Sequence, residues 1–389
     1  MEKRMTIQER KAIPIPQVEP QASIPQQNLR IPGPTTVPPV ILAEMARPMI
    51  NHRGPEFAAI MRRVTARLQY FFQTSSPVLT YPASGTGGQE STIANLFSPG
   101  DHVVVITIGS FGNRLANIAD AYGLQVSRIE FPWGQAADPD IVETRLKTLK
   151  PFRGVLMTHN ETSTGVMNDV QTLTSLVRQL APDTLIAVDA VSSLGCVPIE
   201  MDPWDIDVVF TGSQKGWMTP PGLMMIAASP RAWEASKSAR LPRFYFDWDS
   251  SRKKLEIGQH PTTPPISIFY ALDLALEIML AEGRDAIFAR HQYIGEYVRN
   301  RARTMGLKLL ADHANASNTV TAVLAPEGIN TKALLKILRE QDHIVLGGGQ
   351  EHLDGKIFRV GHLGFFEEAE LVEAMDAVEK RLHEFGFRG

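Results

Sequence analysis

An α/β fold with a largely parallel, helix-covered sheet is what this 389-residue sequence predicts, and three observations carry the prediction. Apolar residues come in short blocks punctuated by 29 Gly and 27 Pro. Strand-like blocks alternate with amphipathic stretches of helical length, the pattern of βαβ crossovers. At about 100 to 200 residues per domain, the length predicts one large and one small domain.

Taken in order, residues 1–27 read as an extended or disordered arm, because the run KAIPIPQVEPQASIPQQ has neither helical nor strand periodicity. The folded part is expected to begin at Asn28, and RIPGPTTVPP is an extended entry, since each Pro biases its predecessor away from the helix. A helix is expected over 55–72. Strands are expected over 78–83, 102–107, 125–131, 154–159, 185–191, 207–211 and 223–228. Helices over 87–97, 111–122, 138–149 and 170–180 separate the early ones. The last three strands are closely spaced, so part of the sheet is expected to be antiparallel. After Pro264-Pro265 a long helix over 266–305, broken near Gly283, opens a different pattern. Strands near Lys308, over 319–324, near Ile344 and over 356–360 mix there with helices over 331–341 and 367–385. The expected division is an arm at 1–27, a large domain at 28–265 and a small α+β domain at 266–389.

Charge and cysteine usage exclude several function classes. With 39 Lys plus Arg against 42 Asp plus Glu and a formal charge of −3, the chain has no basic stripe for nucleic acid and no polybasic membrane anchor. No stretch supplies the roughly 18 consecutive apolar residues of a membrane helix. Cys196 is the single cysteine, so there is no internal disulfide, and no Cys/His cluster has metal-ligand spacing. The charged start, Met1 to Arg10, lacks the apolar run of a secretory signal. A cytoplasmic location is expected.

Three segments carry chemistry. Tyr81-Pro-Ala-Ser-Gly-Thr-Gly-Gly-Gln-Glu90 follows a strand and opens a helix, a turn whose amides and helix dipole suit an anion, usually a phosphate. A tight turn without a ligand explains it equally well. The spacing is not G-x-G-x-x-G, because Glu90 stands three residues after Gly87. Asp189 ends the apolar run of 185–188 and would stand at a strand's carboxyl end, where ligands bind in open α/β sheets; a capping or ion-paired acid is the plainer reading. Lys215, in Phe210-Thr-Gly-Ser-Gln-Lys-Gly216, follows another strand. In a partly desolvated pocket such a lysine has a lowered pKa and attacks carbonyls, although most loop lysines are simply solvated. The conjunction is more informative than its parts: a phosphate-type turn, a strand-end carboxylate and a Schiff-base lysine are the three protein groups pyridoxal phosphate requires.

From Asn28 to Phe385 the chain resembles the class V pyridoxal-phosphate aminotransferases, in particular the alanine:glyoxylate and serine:glyoxylate or serine:pyruvate branch. The segments that carry the resemblance occur in order: PGPTTVPP, SGTGG, THNETSTG, VDAVSSLG, GSQKG, TPP and FRVG. The resemblance implies a fold type I transferase, with a mostly parallel mixed sheet in the large domain and a smaller α+β domain. It implies that Lys215 forms the aldimine with the cofactor and shuttles the Cα proton, while Asp189 keeps the pyridine nitrogen protonated. Thr86, Gly87, Gly88 and Gln214 would hold the phosphate, Phe111 would stack on the ring, Val191 would pack on its other face, and Thr162 would bond its 3′ oxygen edge. Arg359 would bind the substrate carboxylate as a bidentate fork. Thr263 would cross to the phosphate of a neighbouring subunit, giving a homodimer with shared sites; His260 stands where some relatives have tyrosine and would contact the same phosphate.

The implied activity is ping-pong transamination of L-alanine or L-serine with glyoxylate or pyruvate. Alternatives are a class V transaminase for another amine (ureidoglycine, aminoethylphosphonate or pyridoxamine) and a non-catalytic fold member serving as a subunit of a redox complex. A nicotinamide dehydrogenase is disfavoured by the failed glycine spacing. Of the remaining features, Gly347-Gly-Gly349 reads as a flexible turn near the substrate entrance, Cys196 as a buried filler, and His159 as a packed core histidine. His52 and Arg53 fit the site mouth or a helix entry equally.

Overall fold

A computed structural model describes residues 27–389 of the chain. The expected arm, up to residue 26, lies outside the described residues. The main sheet has seven strands, in the order Val78–Tyr81, Met224–Ala228, Val208–Gly212, Leu185–Asp189, Gly154–Thr158, His102–Thr107 and Gln125–Glu130. Met224–Ala228 runs antiparallel to both neighbours, and the other neighbouring pairs are parallel, so the expected mixed, mostly parallel α/β sheet is present. Its central strands are buried along their whole length. That is why they read as continuous rather than alternating apolar runs: helices cover both faces.

The helices follow their local chemistry. Pro139–Thr148 starts behind Asp138, whose carboxylate accepts from the amides of Asp140 and Ile141, and Val170–Leu180 starts behind Asp169 in the same way. The long helix does break at Gly283, whose φ of 86° favours glycine, into Ile266–Glu282 and Arg284–Thr304. Two helices at Pro230–Ser238 and Trp248–Glu256 were not expected from periodicity. Each is announced only by its cap, Ser229 before Pro230 and Asp247 before Trp248.

The second sheet, in the order Asn28–Arg30, Ile344–Gly348, Ile357–Gly361 and Val320–Leu324, divides the chain differently from the expected boundaries. Asn28–Arg30 pairs in parallel with 344–346 and so leaves the large sheet for the small one. Ile266–Glu282 goes the other way. Its Phe269, Leu272, Leu276 and Met279 lie in the core beneath the large sheet, whereas Ile294, Val298 and Ala302 of the following helix enter the core of the small one. Two further expectations are corrected. Gly347 and Gly348 are not a turn but the end of a strand, opposite Arg359 and Phe358. A Cβ on Gly347 would stand 2.9 Å from Pro32 Cδ, so the bare backbone is needed for close approach. Near Lys308 there is no strand, only a bridge between Leu309 and Val323.

Candidate active site

The carboxyl ends of the parallel strands open onto one cavity of about 200 Å³. Ser84, Gly85, Thr86, Gln89, Phe111, Arg114, Thr158, Asn160, Thr162, Asp189, Val191, Ser192, Gln214 and Lys215 line it. The helix Gly85–Leu96 starts at its rim, behind an extended Ser84 whose side chain makes no capping bond. Its first amides are therefore not taken by a side-chain cap, which is what an anion needs. The glycines of this turn are explained by packing. A Cβ on Gly85 would meet Val191 Cγ2 at 2.6 Å, and one on Gly88 would meet Phe210 Cδ2 at 2.6 Å. Gly87, set against Ala83 and Phe246, and Gly88 lie behind the lining residues rather than on the cavity wall.

Asp189, 4% exposed, ends its strand with both oxygens engaged. Oδ1 accepts from the Val191 amide at 3.0 Å and Oδ2 from Gln89 Nε2 at 2.8 Å. Burial pushes its pKa up to about 6, against these two bonds, which favour the ionised form. Gln89 was missed by sequence reasoning. Its position one turn into the helix that opens with SGTGG was the only signal available.

Lys215 is 8% exposed, and its amine donates to the Pro32 carbonyl. Its pKa is lowered to about 8, first by burial and then by the nearby positive charge of Arg359, with Asp189 opposing both. The lysine turn is clasped by the entry segment: the Thr35 amide donates to Gln214 O at 3.0 Å and its hydroxyl to Lys215 O at 3.1 Å. Gly33 has a φ of 127°, and a Cβ there would stand 2.6 Å from Lys215 Nζ.

Phe111 lies in the first turn of the helix Ser110–Ala121, which a remote residue caps. The fully buried Glu161 accepts from the amides of Phe111 and Gly112, each at 3.1 Å, and from Ser163. Burial raises the pKa of Glu161, and these donors counter it. Arg114, one turn on, lies 4.7 Å over the Phe111 ring and reaches Thr86 Oγ1 at 3.4 Å. Thr162 donates to Ser192 Oγ at 2.7 Å, and its carbonyl accepts from Arg359 Nη1 at 2.9 Å. Arg359 Nε donates to Gly348 O at 2.8 Å, so the guanidinium links the small sheet to the loop that carries Thr162. It is 7% exposed, and burial lowers its pKa.

The other expected residues lie apart from this cavity. His260 is buried against its own chain, with Nε2 at 2.8 Å from Thr80 O and Nδ1 at 3.0 Å from Thr262 O, and burial lowers its pKa. Thr263 is exposed. Neither lines the cavity of its own chain. Cys196 is fully buried and its thiol is pushed up to about 12, as a filler would be. His159 is packed edge-on to Trp204, with its pKa lowered by burial to about 4. His52 and Arg53 lie in the turn before the helix Pro55–Phe72.

These residues fit pyridoxal phosphate. Gln89 Oε1, Asn160 Oδ1 and Gln214 Oε1 are buried around the cavity without hydrogen-bond partners among the described residues, a polar lining that a polar ligand would complete. A buried acid, a lysine of lowered pKa and an uncapped helix start face the same space, matching in turn a ring nitrogen, an aldehyde and a phosphate.

Comparison with known proteins gives the same answer. Residues 40–360 match the family described as Aminotransferase class-V. The chain is 45% identical to the small subunit of the soluble hydrogenase of Synechococcus sp. over 92% of its own length and 94% of that protein's. It is 36% identical to the L-aspartate–glyoxylate aminotransferase of Paracoccus denitrificans, over 93% and 92% of the two chains. The crystal structure of alanine–glyoxylate aminotransferase from Nostoc sp. superimposes with a TM-score of 0.89 at 34% identity, covering 94% of this chain and 97% of that one. With the strand-end acid, the buried lysine and the buried arginine all borne on this fold, the chain belongs to the class V aminotransferases, a pyridoxal-phosphate-dependent family.

Proposed function

We propose that this chain transfers the amino group of a small neutral L-amino acid, alanine or serine, to glyoxylate or pyruvate. One observation supports the choice: Arg359, outside the cavity wall, is a buried guanidinium held against the carbonyl of the lining residue Thr162, and the arginine on the wall itself, Arg114, is turned onto the Phe111 ring and Thr86. One fork suits substrates with one carboxylate. Glyoxylate, pyruvate, alanine and serine each present one, so a single arginine serves both half-reactions.

Bound pyridoxal phosphate supplies an electrophilic carbon for the amine and an electron sink for the Cα carbanion. Asp189, with its pKa raised to about 6, would face the ring nitrogen as a carboxylate at neutral pH and keep it protonated. Phe111 and Val191 would flank the ring, and Thr86 and Gln214 with the first amides of Gly85–Leu96 would hold the phosphate. Arg359 fixes the substrate carboxylate. Lys215, with a pKa of about 8, is basic enough to remove the Cα proton yet partly neutral at physiological pH. The phosphate contact of Thr263 belongs to a second subunit in this reading, whereas His260, buried with both ring nitrogens held by Thr80 and Thr262 of its own chain, is given none.

A second reading, a subunit of a redox complex, draws on the name of the Synechococcus relative. The intact set of Lys215, Asp189 and Arg359 weighs against lost catalysis, although a catalytic protein can also be a subunit. The deciding experiment is a panel of donors (alanine, serine, aspartate, ureidoglycine, aminoethylphosphonate, pyridoxamine) against glyoxylate and pyruvate, followed through the cofactor's visible band. Alanine or serine should bleach the band fastest. Faster turnover of aspartate would reject the single-fork argument, and no bleaching by any donor, with copurification of another subunit, would favour the second reading.

A further inference from the structure

We propose that Gln89 is a positioning residue, whose one buried amide ties the acid at the cofactor's ring nitrogen to the ring's stacking platform. Its Nε2 donates to Asp189 Oδ2 at 2.8 Å and to the Phe111 carbonyl at 3.3 Å. Both partners are acceptors only, so the orientation of the amide is determined: turned over, it would set an oxygen against a carboxylate and a carbonyl. The side chain is 1% exposed, and its Oε1 is left buried without a partner. That oxygen belongs to the polar cavity lining that a ligand would complete, so among the described residues the side chain is engaged through its Nε2 alone.

The Nε2 end holds two independent parts. The Val191 amide engages Asp189 Oδ1 and Gln89 engages Oδ2, so the carboxylate cannot rotate without losing a bond. The Phe111 carbonyl starts the helix that presents the aromatic ring, and Glu161 holds the same turn from the opposite side through the Phe111 and Gly112 amides. Burial and the charge of Glu161 both favour the protonated acid at Asp189, while Arg114, Lys215 and the donors from Val191 and Gln89 favour the ionised one. Removing Gln89 therefore has a definite sign: Asp189 takes up a proton at higher pH, and the ring nitrogen loses its anionic partner over the same range.

The inference rests on Asp189 facing the ring nitrogen and is independent of the donor amino acid. The test uses holoenzyme loaded with pyridoxal phosphate carrying nitrogen-15 in the ring. The nitrogen resonance and kcat are followed against pH for wild type, Gln89→Glu, Gln89→Leu and Asp189→Asn. Gln89→Glu keeps the shape but sets a second buried carboxyl against Asp189, where like charge disfavours ionising both. Its acid limb should move up by at least about one pH unit, with kcat at neutral pH falling at least about tenfold and KM for the amino acid nearly unchanged, the lost hydrogen bond and the like charge acting in the same direction. Gln89→Leu should move the limb in the same direction; if it does not fold, Gln89→Glu alone decides. A Gln89→Glu enzyme with wild-type limb and resonance overturns the proposal. If Asp189→Asn also leaves the resonance unmoved, the assignment of Asp189 itself has failed, whereas a resonance moved by Asp189→Asn alone rejects only the role of Gln89.

Discussion

The carboxyl edge of the seven-stranded sheet and the inner face of the four-stranded sheet both supply groups to the candidate site, yet they are built in opposite ways. At the first, each functional residue lies within a few positions of its own strand's end: Thr86 after Val78–Tyr81, Asp189 at the end of Leu185–Asp189, Lys215 after Val208–Gly212. The fold's main sheet aims them together, and short turns leave little freedom. The second is assembled from distant chain. Arg359 is held opposite Gly347, whose strand pairs on its other side with Asn28–Arg30, and the Pro32–Gly33 segment that follows the latter crosses back to cover Lys215. The proposed cofactor groups are thus placed locally and the proposed carboxylate-binding arginine non-locally. The two regions meet in the charge of Arg359, which helps hold the Lys215 pKa down.

Three variants test that division, in falling order of effect. Lys215→Ala should lower the rate of donor-driven bleaching by at least about 10² to 10⁴-fold, the range of a lost acid/base group, in single-turnover measurements. Bleaching at the wild-type rate would remove the lysine from the site.

Arg359→Gln should leave cofactor affinity within about twofold and reduce kcat/KM for carboxylate substrates by about 10 to 100-fold, as expected for a lost charged hydrogen bond. The same change should raise the Lys215 pKa above about 8, read in the cofactor-free protein from the pH dependence of amine labelling at Lys215. Because the folded value lies below the lysine's ordinary 10.5, the unfolded chain binds the extra proton between about pH 8 and 10.5. Lys215 thus adds stability as pH rises through that window and weakens the folded state below it. Melting of wild type against Lys215→Ala across the window checks the sign. A loss of cofactor affinity in Arg359→Gln would break the separation of the two regions.

Gly33→Ala is the mildest. Its Cβ at 2.6 Å from Lys215 Nζ and its φ of 127° should destabilise the fold by about 1 to 3 kcal/mol in urea unfolding and displace the amine from the Pro32 carbonyl. Unchanged stability would mean that the entry segment is free to move off the lysine.

How much of this was readable follows the same line. Strand-end turns have a local signature, so the SGTGG turn, Asp189 and Lys215 could be singled out from the residues themselves, while Thr86, Phe111, Thr162, Val191 and Gln214 were named through the resemblance to the class V family; all seven residues share one cavity. Gln89 escaped because nothing in its own segment shows that Asp189, 100 positions later, will stand opposite its amide. Glu161 escaped because it caps a helix 50 residues away. The Gly347-Gly348 pair was misread for a related reason: glycines usually signal a turn, but here they let Pro32 and the Arg359 strand come close.

The sequence by itself determined the alternation of strands and helices, the type of chemistry and the residues at the strand ends, because each depends on contacts within one crossover unit. Only the tertiary structure decided that Asn28–Arg30 belongs to the second sheet, that Ile266–Glu282 packs under the first, and that His260 is spent on Thr80 and Thr262 within its own chain. Only it set the burial that moves Lys215 to about 8 and Asp189 to about 6. Those outcomes depend on which surfaces exclude water from which charges, and residues hundreds of positions apart must meet before that is defined.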